Sequence, residues 1–481
     1  MNGPIRRLAG IVALMFVSLL ISTTYIQVVA APSLNDKPNN RRTLLKEYGR
    51  QRGPLIVSGD AVAESVPSKD AYQFQRTYPG GRMYAPLTGY YSVISGGHGL
   101  EGTENDFLSG TADQLFYRRI SDLLTGQEPA GAQVELTIQA KAQKAAYEAL
   151  GNQRGAVVAL NPKTGDVLAM VSRPTFDPDP LADHNQKDAA KAFNKLDADD
   201  DEPLINRAIG QTYPPGSTYK LVTSAAALSN GYKPDSEVEG RAALPLPQTS
   251  NPLDNDDFQP CGPNGKTTLI HALEISCNTA YASLGMELGE AAMQEQAKKF
   301  GFGQQLAIPL KVAPSVFPSG LNPPQLAQSS IGQYETRATP LQMAMVSAGI
   351  ANDGKVMRPN LIRRVRTAQQ KVLQERQPQE LSEAVTPEVA DELTTMMEKV
   401  VESGTGTRAQ MPGIKVAGKT GTAQHGTTRP PHVWFTCFAP ADDPQVAVAV
   451  VVEDGGKLGD EAFGGTVAAP IAKKVMEAVI K

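Results

Sequence analysis

Cysteine and histidine are few in this chain, and neither sign of charge dominates. Three cysteines in 481 residues exclude a disulfide framework and leave room for one internal bridge with one thiol over. The five histidines, His98, His184, His271, His425 and His432, share no ligand spacing, so no metal is implied. With 46 Lys+Arg against 50 Asp+Glu and a net charge of -4, there is no electrostatic reason to expect a nucleic-acid partner, and no basic patch supplies a local one. The acidic run Asp197 to Glu202 lacks the spaced ligand positions of a calcium loop and reads as a solvated loop.

What is present is ordinary in bulk and specific in detail. A chain that is 41% hydrophobic and 20% charged can bury a large core and is long enough for two or three domains. Arg6 and Arg7 precede an uncharged stretch, Leu8 to Ala31, long enough to cross a bilayer. The basic flank predicts a single-pass anchor, residues 1–31, with its N-terminus in the cytoplasm. Val29-Ala30-Ala31 leaves open cleavage as a signal peptide. Both readings place the body of the chain outside the cytoplasm. In that compartment Cys261 and Cys277 could close a short loop, worth roughly 3 kcal/mol in the chain-entropy model, or remain separate buried thiols. Cys437, in the apolar run Trp434 to Phe438, reads as a small buried hydrophobe.

From residue 32 to 133 the sequence is polar and weakly periodic, which predicts a small extended stalk domain, with a short strand at Tyr72 to Arg76 and a helix at Ala112 to Leu124. The texture changes at Val134, and residues 134–481 read as one α/β (α+β) domain. Its expected strands are Gly155 to Leu160, Val167 to Val171, Ile414 to Thr422, His432 to Phe438 and Gln445 to Val452. Short connections make neighbours antiparallel, giving one five-stranded sheet flanked by helices. Helices are expected at Gln139 to Leu150, from Ser217 onward, at Thr268 to Leu273, Thr279 to Leu288, Pro340 to Ala351, Pro387 to Val401 and Val467 to Ile480. Gly301 to Pro324, rich in Gly and Pro, reads as a surface loop.

Within this domain Tyr213-Pro214-Pro215-Gly216-Ser217-Thr218-Tyr219-Lys220 delivers a serine to a helix start. Spacing of i and i+3 puts Lys220 on the face of Ser217, so that amine and hydroxyl can meet. A Ser-x-x-Lys proves little, since about two are expected by chance in a chain of this length. Further on come Ser276-Cys277-Asn278, between two expected helices, and Lys419-Thr420-Gly421-Thr422, on an expected strand. A Lys-Thr-Gly is expected about 0.1 times by chance, yet there are two. Lys163-Thr164-Gly165 falls in a hairpin turn and precedes the Ser-x-x-Lys, where Gly and polar residues serve geometry alone. Position selects Lys419. Taken singly, Ser217 is a helix cap, Ser276 a turn residue and Lys419 a surface charge; the ordered set is what carries the chemistry.

That order and spacing resemble the penicillin-binding proteins and serine β-lactamases. The flanking Gly155 to Leu160, Pro214-Pro215-Gly216, Thr279-Ala280, Ser330-Ile331-Gly332-Gln333 and Thr339 to Ala344 are similar to the class B, monofunctional penicillin-binding proteins. The short stalk, with Arg52-Gly53, resembles their actinobacterial type. The resemblance implies a peptidoglycan D,D-transpeptidase needing no cofactor: Ser217 the nucleophile, Lys220 its base, and Ser276 a relay to the leaving amine. Asn278 would hold the stem peptide, and Lys419 with Thr420, Gly421 and Thr422 would bind its terminal carboxylate and pair with its backbone. The backbone N–H groups of Ser217 and Thr422 would form the oxyanion hole. The middle Cys277 departs from the commonest family choices and bears on fine specificity. The implied partners are peptidoglycan stem peptides, β-lactam antibiotics and a polytopic membrane glycosyltransferase of the SEDS type, since no second catalytic domain is legible. A β-lactamase or D,D-carboxypeptidase of the same fold is the alternative, yet no convincing Glu and Asn arrangement for deacylation lies between Asn278 and Lys419. A non-catalytic β-lactam sensor is another, and an intact constellation argues against it.

Overall fold

The fold follows from where the apolar runs can be covered. The computed structural model describes residues 2–30, 48–115, 130–424 and 429–481. Helix α1, Asn2–Thr24, continues as a π-turn to Val29. The stretch Gly3–Val29 is 27 residues long, apolar, unburied among the described residues and long enough to cross a membrane.

The N-terminal part is built on strands β1, Leu55–Val57, β2, Asp60–Pro67, and β3, Phe74–Thr77, so the short strand begins two residues later than expected. Strand β4, Gln133–Leu136, runs parallel to β1, and helix α2, Ala140–Leu150, follows it. Of the helix expected at Ala112 to Leu124, the structure shows a single turn at Asp113–Leu115; residues 116–129 lie outside the described residues. Arg52 is buried under this sheet, paired with Glu101 at 2.9 Å, and Glu101 also binds Arg76 at 2.5 Å.

Strands β5, Gly155–Leu160, and β6, Val167–Arg173, open a second sheet. Helix α3, Lys220–Ser229, α4, Leu269–Glu274, α5, Asn278–Lys299, and α6, Pro340–Ile350, come next. Strands β7, Ile362–Arg366, and β8, Val372–Glu375, return to the N-terminal sheet, whose order is β8-β7-β4-β1-β2-β3. Helix α7, Pro387–Glu402, leads to β9, Ala417–Ala423, β10, His432–Ala439, and β11, Val446–Val452, and helix α8, Gly464–Ile480, closes the chain. The second sheet has five strands in the order β9-β10-β11-β5-β6 and is antiparallel throughout.

This sheet is covered on both faces, which explains why β5 and β11 are apolar without interruption. Successive side chains point to opposite faces. On β11, Val446, Val448, Val450 and Val452 join the core under α2 and α8, whereas Ala447, Ala449 and Val451 join the core with α3, α5 and α6. Strand β9 is left at the edge.

One expected surface loop is partly buried. In the Gly301 to Pro324 segment, Phe302, Leu306, Ile308, Leu310 and Val312 are buried. Leu306, Ile308, Leu310 and Val312 are buried at every second position, an alternation that the Gly and Pro content of the segment outweighed in the loop reading. The acidic run is exposed at every residue from Asp197 to Glu202, as expected of a solvated segment, although Asp197 ends a helix and Asp201 and Glu202 reach Arg154 at 3.0 and 3.6 Å.

Candidate functional site

The site is assembled from a turn, a helix start and a strand edge. The turn before Ser217 is pinned at every residue. Tyr213 exchanges both backbone hydrogen bonds with Ala338 at 2.9 and 2.8 Å, and its hydroxyl donates to Glu453 at 2.7 Å. Glu453 is itself held by the buried Arg207 at 2.9 Å. Trp434 Nε1 donates to Pro214 O at 3.1 Å, and Gly216 N to Gly332 O at 3.0 Å. Gly216 takes φ +52, and a Cβ there would lie 2.5 Å from Thr422 O, so only glycine lets the turn meet the strand.

Gly216–Tyr219 is a 3-10 turn rather than the first turn of an α-helix. With three residues per turn, Ser217 and Lys220 stack one above the other. Among the described residues, however, Lys220 Nζ makes no hydrogen bond to Ser217. It donates to Ser276 O at 2.6 Å, to Asn278 Oδ1 at 2.7 Å and to Ser276 Oγ at 3.3 Å. The reason is burial: Lys220 is fully enclosed, and a buried amine must find acceptors. The turn between α4 and α5 supplies them. Burial also pushes the Lys220 ammonium down to about 7, with the charge of Asp256 opposing.

Ser276 sits at φ +65, a conformation that non-glycine residues rarely adopt. The start of α5 has no side-chain cap of its own. Asn255 Oδ1, from the preceding excursion, accepts from Asn278 N at 3.0 Å and Thr279 N at 3.1 Å in its place. Cys277 is bonded to Cys261, with the two Cα atoms 6.0 Å apart, and Cys437 is a buried free thiol. Unfolded but unreduced protein is therefore expected to titrate one thiol, rising to three after reduction. Three before reduction would remove the bridge.

On β9, Lys419 is fully buried, and its Nζ donates to Thr420 O at 3.0 Å. Thr420 Oγ1 shares a 2.6 Å hydrogen bond with Thr405 Oγ1. Burial, and then the charge of Lys220, hold the Lys419 ammonium well below the ordinary lysine range, against the pull of Asp256. Gly421 faces the nucleophile turn, where a Cβ would lie 2.9 Å from Thr218 Cγ2. Lys163-Thr164-Gly165 is the turn it resembles, with Asn161 Oδ1 accepting from two of its backbone N–H groups and Lys163 paired to Asp443 at 2.7 Å.

Ser217, Ser276, Thr420, Gly421 and Thr422 line one cleft of about 390 Å³, together with Asp256. Lys220, Asn278 and Lys419 stand behind its wall. Sequence reasoning missed Asn255, Asp256, Thr405 and Glu453. One signal was available, since a Cys261 to Cys277 bridge places the excursion that holds Asn255 and Asp256 against the Ser276 turn. The arrangement suits acyl transfer: a cleft hydroxyl, a lysine able to lose its proton near neutrality, and a free strand edge for an extended peptide.

Comparisons with known proteins agree with that chemistry. Residues 155–477 match the family model of the penicillin binding protein transpeptidase domain, and residues 52–134 that of the penicillin binding protein A dimerisation domain. The peptidoglycan D,D-transpeptidase PbpA of Mycolicibacterium smegmatis is 43% identical over 100% of this chain and 99% of its own length. PbpA of Mycobacterium tuberculosis is 40% identical with the same coverage. The ceftriaxone acyl-enzyme complex of M. tuberculosis penicillin-binding protein A superposes with a TM-score of 0.88 at 40% identity, covering 91% of this chain and 100% of that one. Its penicillin G acyl-enzyme complex gives 0.86, covering 90% and 100%.

Proposed function

Because the chain belongs to the class B penicillin-binding proteins of the PbpA type, and is a serine-type peptidoglycan D,D-transpeptidase inhibited by β-lactams, we propose how its residues divide the work. Ser217 Oγ attacks the carbonyl carbon of the penultimate D-Ala of a stem peptide while Lys220 accepts the hydroxyl proton. The backbone N–H groups of Ser217 and Thr422 stabilise the oxyanion. The peptide C–N bond breaks, Ser276 relays a proton to the nitrogen, and D-Ala departs. An amine of a neighbouring stem then attacks the ester, forming the cross-link and freeing Ser217.

The observation that carries this reading is the buried amine of Lys220, one turn from Ser217 and held by Ser276 and Asn278. Thr420 and Thr422 present hydroxyls for the terminal carboxylate. Lys419 sits behind them, and an arriving carboxylate supplies the opposite charge that its burial otherwise denies it. A β-lactam takes the same path, but its leaving nitrogen stays tethered in the opened ring and obstructs the second attack. Labelled penicillin is therefore expected to form a lasting adduct that peptide mapping places on Ser217. Label on another residue, or steady release of hydrolysed drug, would contradict the scheme.

The proposal extends to the setting. Residues 1–31 anchor the protein with Arg6 and Arg7 on the cytoplasmic side, residues 32–133 act as a stalk, and residues 134–481 work outside the membrane. A polytopic glycosyltransferase of the SEDS type would make the glycan that this chain cross-links.

A further inference from the structure

Asn278 has two ends, and the structure uses both. Its Oδ1 accepts from Lys220 Nζ at 2.7 Å, while its Nδ2 donates to Asp256 Oδ1 at 2.9 Å and more weakly to Asp254 O at 3.4 Å. An amide can rotate by half a turn at little cost in shape. If it did so here, Nδ2 would face the amine of Lys220, donor against donor, and Lys220 would lose one of its three acceptors. A carboxylate has only acceptors to offer and so admits only one orientation of the amide.

The position of Asp256 is built rather than incidental. Its neighbour Asn255 is buried, and Asn255 Oδ1 holds the first two N–H groups of α5. Asn255 Nδ2 donates to Gln259 O at 2.8 Å and Arg241 O at 3.2 Å. Five residues beyond Asp256, Cys261 is bonded to Cys277 of the same turn. The excursion is thus fastened to the Ser276-Cys277-Asn278 turn on both sides of Asp256, whose side chain is exposed in the cleft.

We propose that Asp256 is a positioning residue for acyl transfer: its carboxylate orients the Asn278 amide so that Oδ1 serves Lys220, and its charge faces the buried lysines across the cleft. This rests on the reading that Lys220 serves Ser217. The groups around the Lys220 amine are Ser276 and Asn278 of the turn, the Tyr281 ring of α5 with its centroid 5.6 Å away, Lys419 of β9 and Asp256 of the excursion. Of these, Asp256 alone carries negative charge, and it opposes the loss of the proton at both lysines.

The test compares D256A and D256N in the full-length protein, following the second-order rate constant for acylation by penicillin across pH. D256A is expected to acylate about tenfold more slowly, the effect of losing one charge-assisted hydrogen bond. D256N keeps an acceptor for Asn278 Nδ2 but also brings a donor that no longer fixes the amide's orientation, and should recover only part of that rate. In both variants the acid limb of the profile moves to lower pH, because the opposing charge is gone. Wild-type rates and limbs in both variants would overturn the proposal. So would equal slowing of both with an unmoved limb, which would report only a disturbed cleft. Labelling that persists in S217A would refute the underlying reading instead, so the two failures are distinguishable.

Discussion

Replacing Ser217 by alanine is expected to abolish covalent labelling by penicillin and to lower transpeptidation by at least about 10³-fold, because no acyl-enzyme can form. The experiment is more than a formality. Both Ser217 and Ser276 line the cleft, and the amine of Lys220 touches Ser276 rather than Ser217. Contact with the base alone would favour Ser276. Ser217 is preferred because it lies in the turn entering α3, where helix geometry leaves leading backbone N–H groups without intrahelical partners and so suited to an oxyanion. Ser276 sits in a strained left-handed conformation whose carbonyl is already committed to Lys220. S276A is accordingly expected to label more slowly, by about 10- to 100-fold for a lost proton relay, but still at Ser217. Label retained in S217A and lost in S276A would reverse the assignment.

Lys220→Ala is expected to reduce acylation by about 10²- to 10⁴-fold, the range of a lost general base. Lys220→Arg should not rescue it, since a guanidinium does not release its proton. In the wild-type protein the acylation rate should rise with pH through about 7, where the buried Lys220 ammonium gives up its proton. Below that pH the amine is charged and cannot accept the serine proton; above it the amine can. That limb should vanish in Lys220→Ala. The variant also leaves Ser276 O and Asn278 Oδ1 without their donor, a cost of about 1–3 kcal/mol, partly offset because a buried amine is no longer desolvated. Thermal unfolding, measured beside the rates, separates this loss from the chemical one. An unaltered acid limb in Lys220→Ala would assign the base elsewhere.

The parts of the fold that could be read from the sequence are those where burial imposes a period or a run. Strand β11 is covered on both faces, so it appears as an uninterrupted apolar stretch, β10 is broken inside only by the buried Thr436, and α7 repeats its buried Leu393, Met396, Met397 and Val400 at helical spacing. Strands β7 and β8 were not legible, because Ile362-Arg363-Arg364-Val365-Arg366 is half-covered and its arginines answer Glu135 of β4, with Arg364 at 2.6 Å. Such a strand is defined by its partner rather than by its own pattern. Leu306, Ile308, Leu310 and Val312 bury at every second position, but Pro309 and the surrounding Gly and Pro residues make that short alternation read as a loop.

The site divides in the same way. Order and spacing of Ser217, Lys220, Ser276, Asn278 and Lys419 were enough to name the chemistry, since reactive groups are costly to arrange and short motifs hold them together in turns. Asn255, Asp256, Thr405 and Glu453 are polar residues in loops, and nothing local separates them from solvated ones.

What the sequence by itself determined is therefore the reaction: a serine before a helix, a second serine and an asparagine between helices, and a lysine on an edge strand. What only the tertiary structure decided is where each polar atom points. The Lys220 amine turns to Ser276 and Asn278, Lys419 lies behind the cleft wall, and Asp256 takes the far end of the Asn278 amide. The physical reason is that a buried donor bonds whichever acceptor the surrounding fold leaves within reach, and that choice is made by chain segments far apart in the sequence.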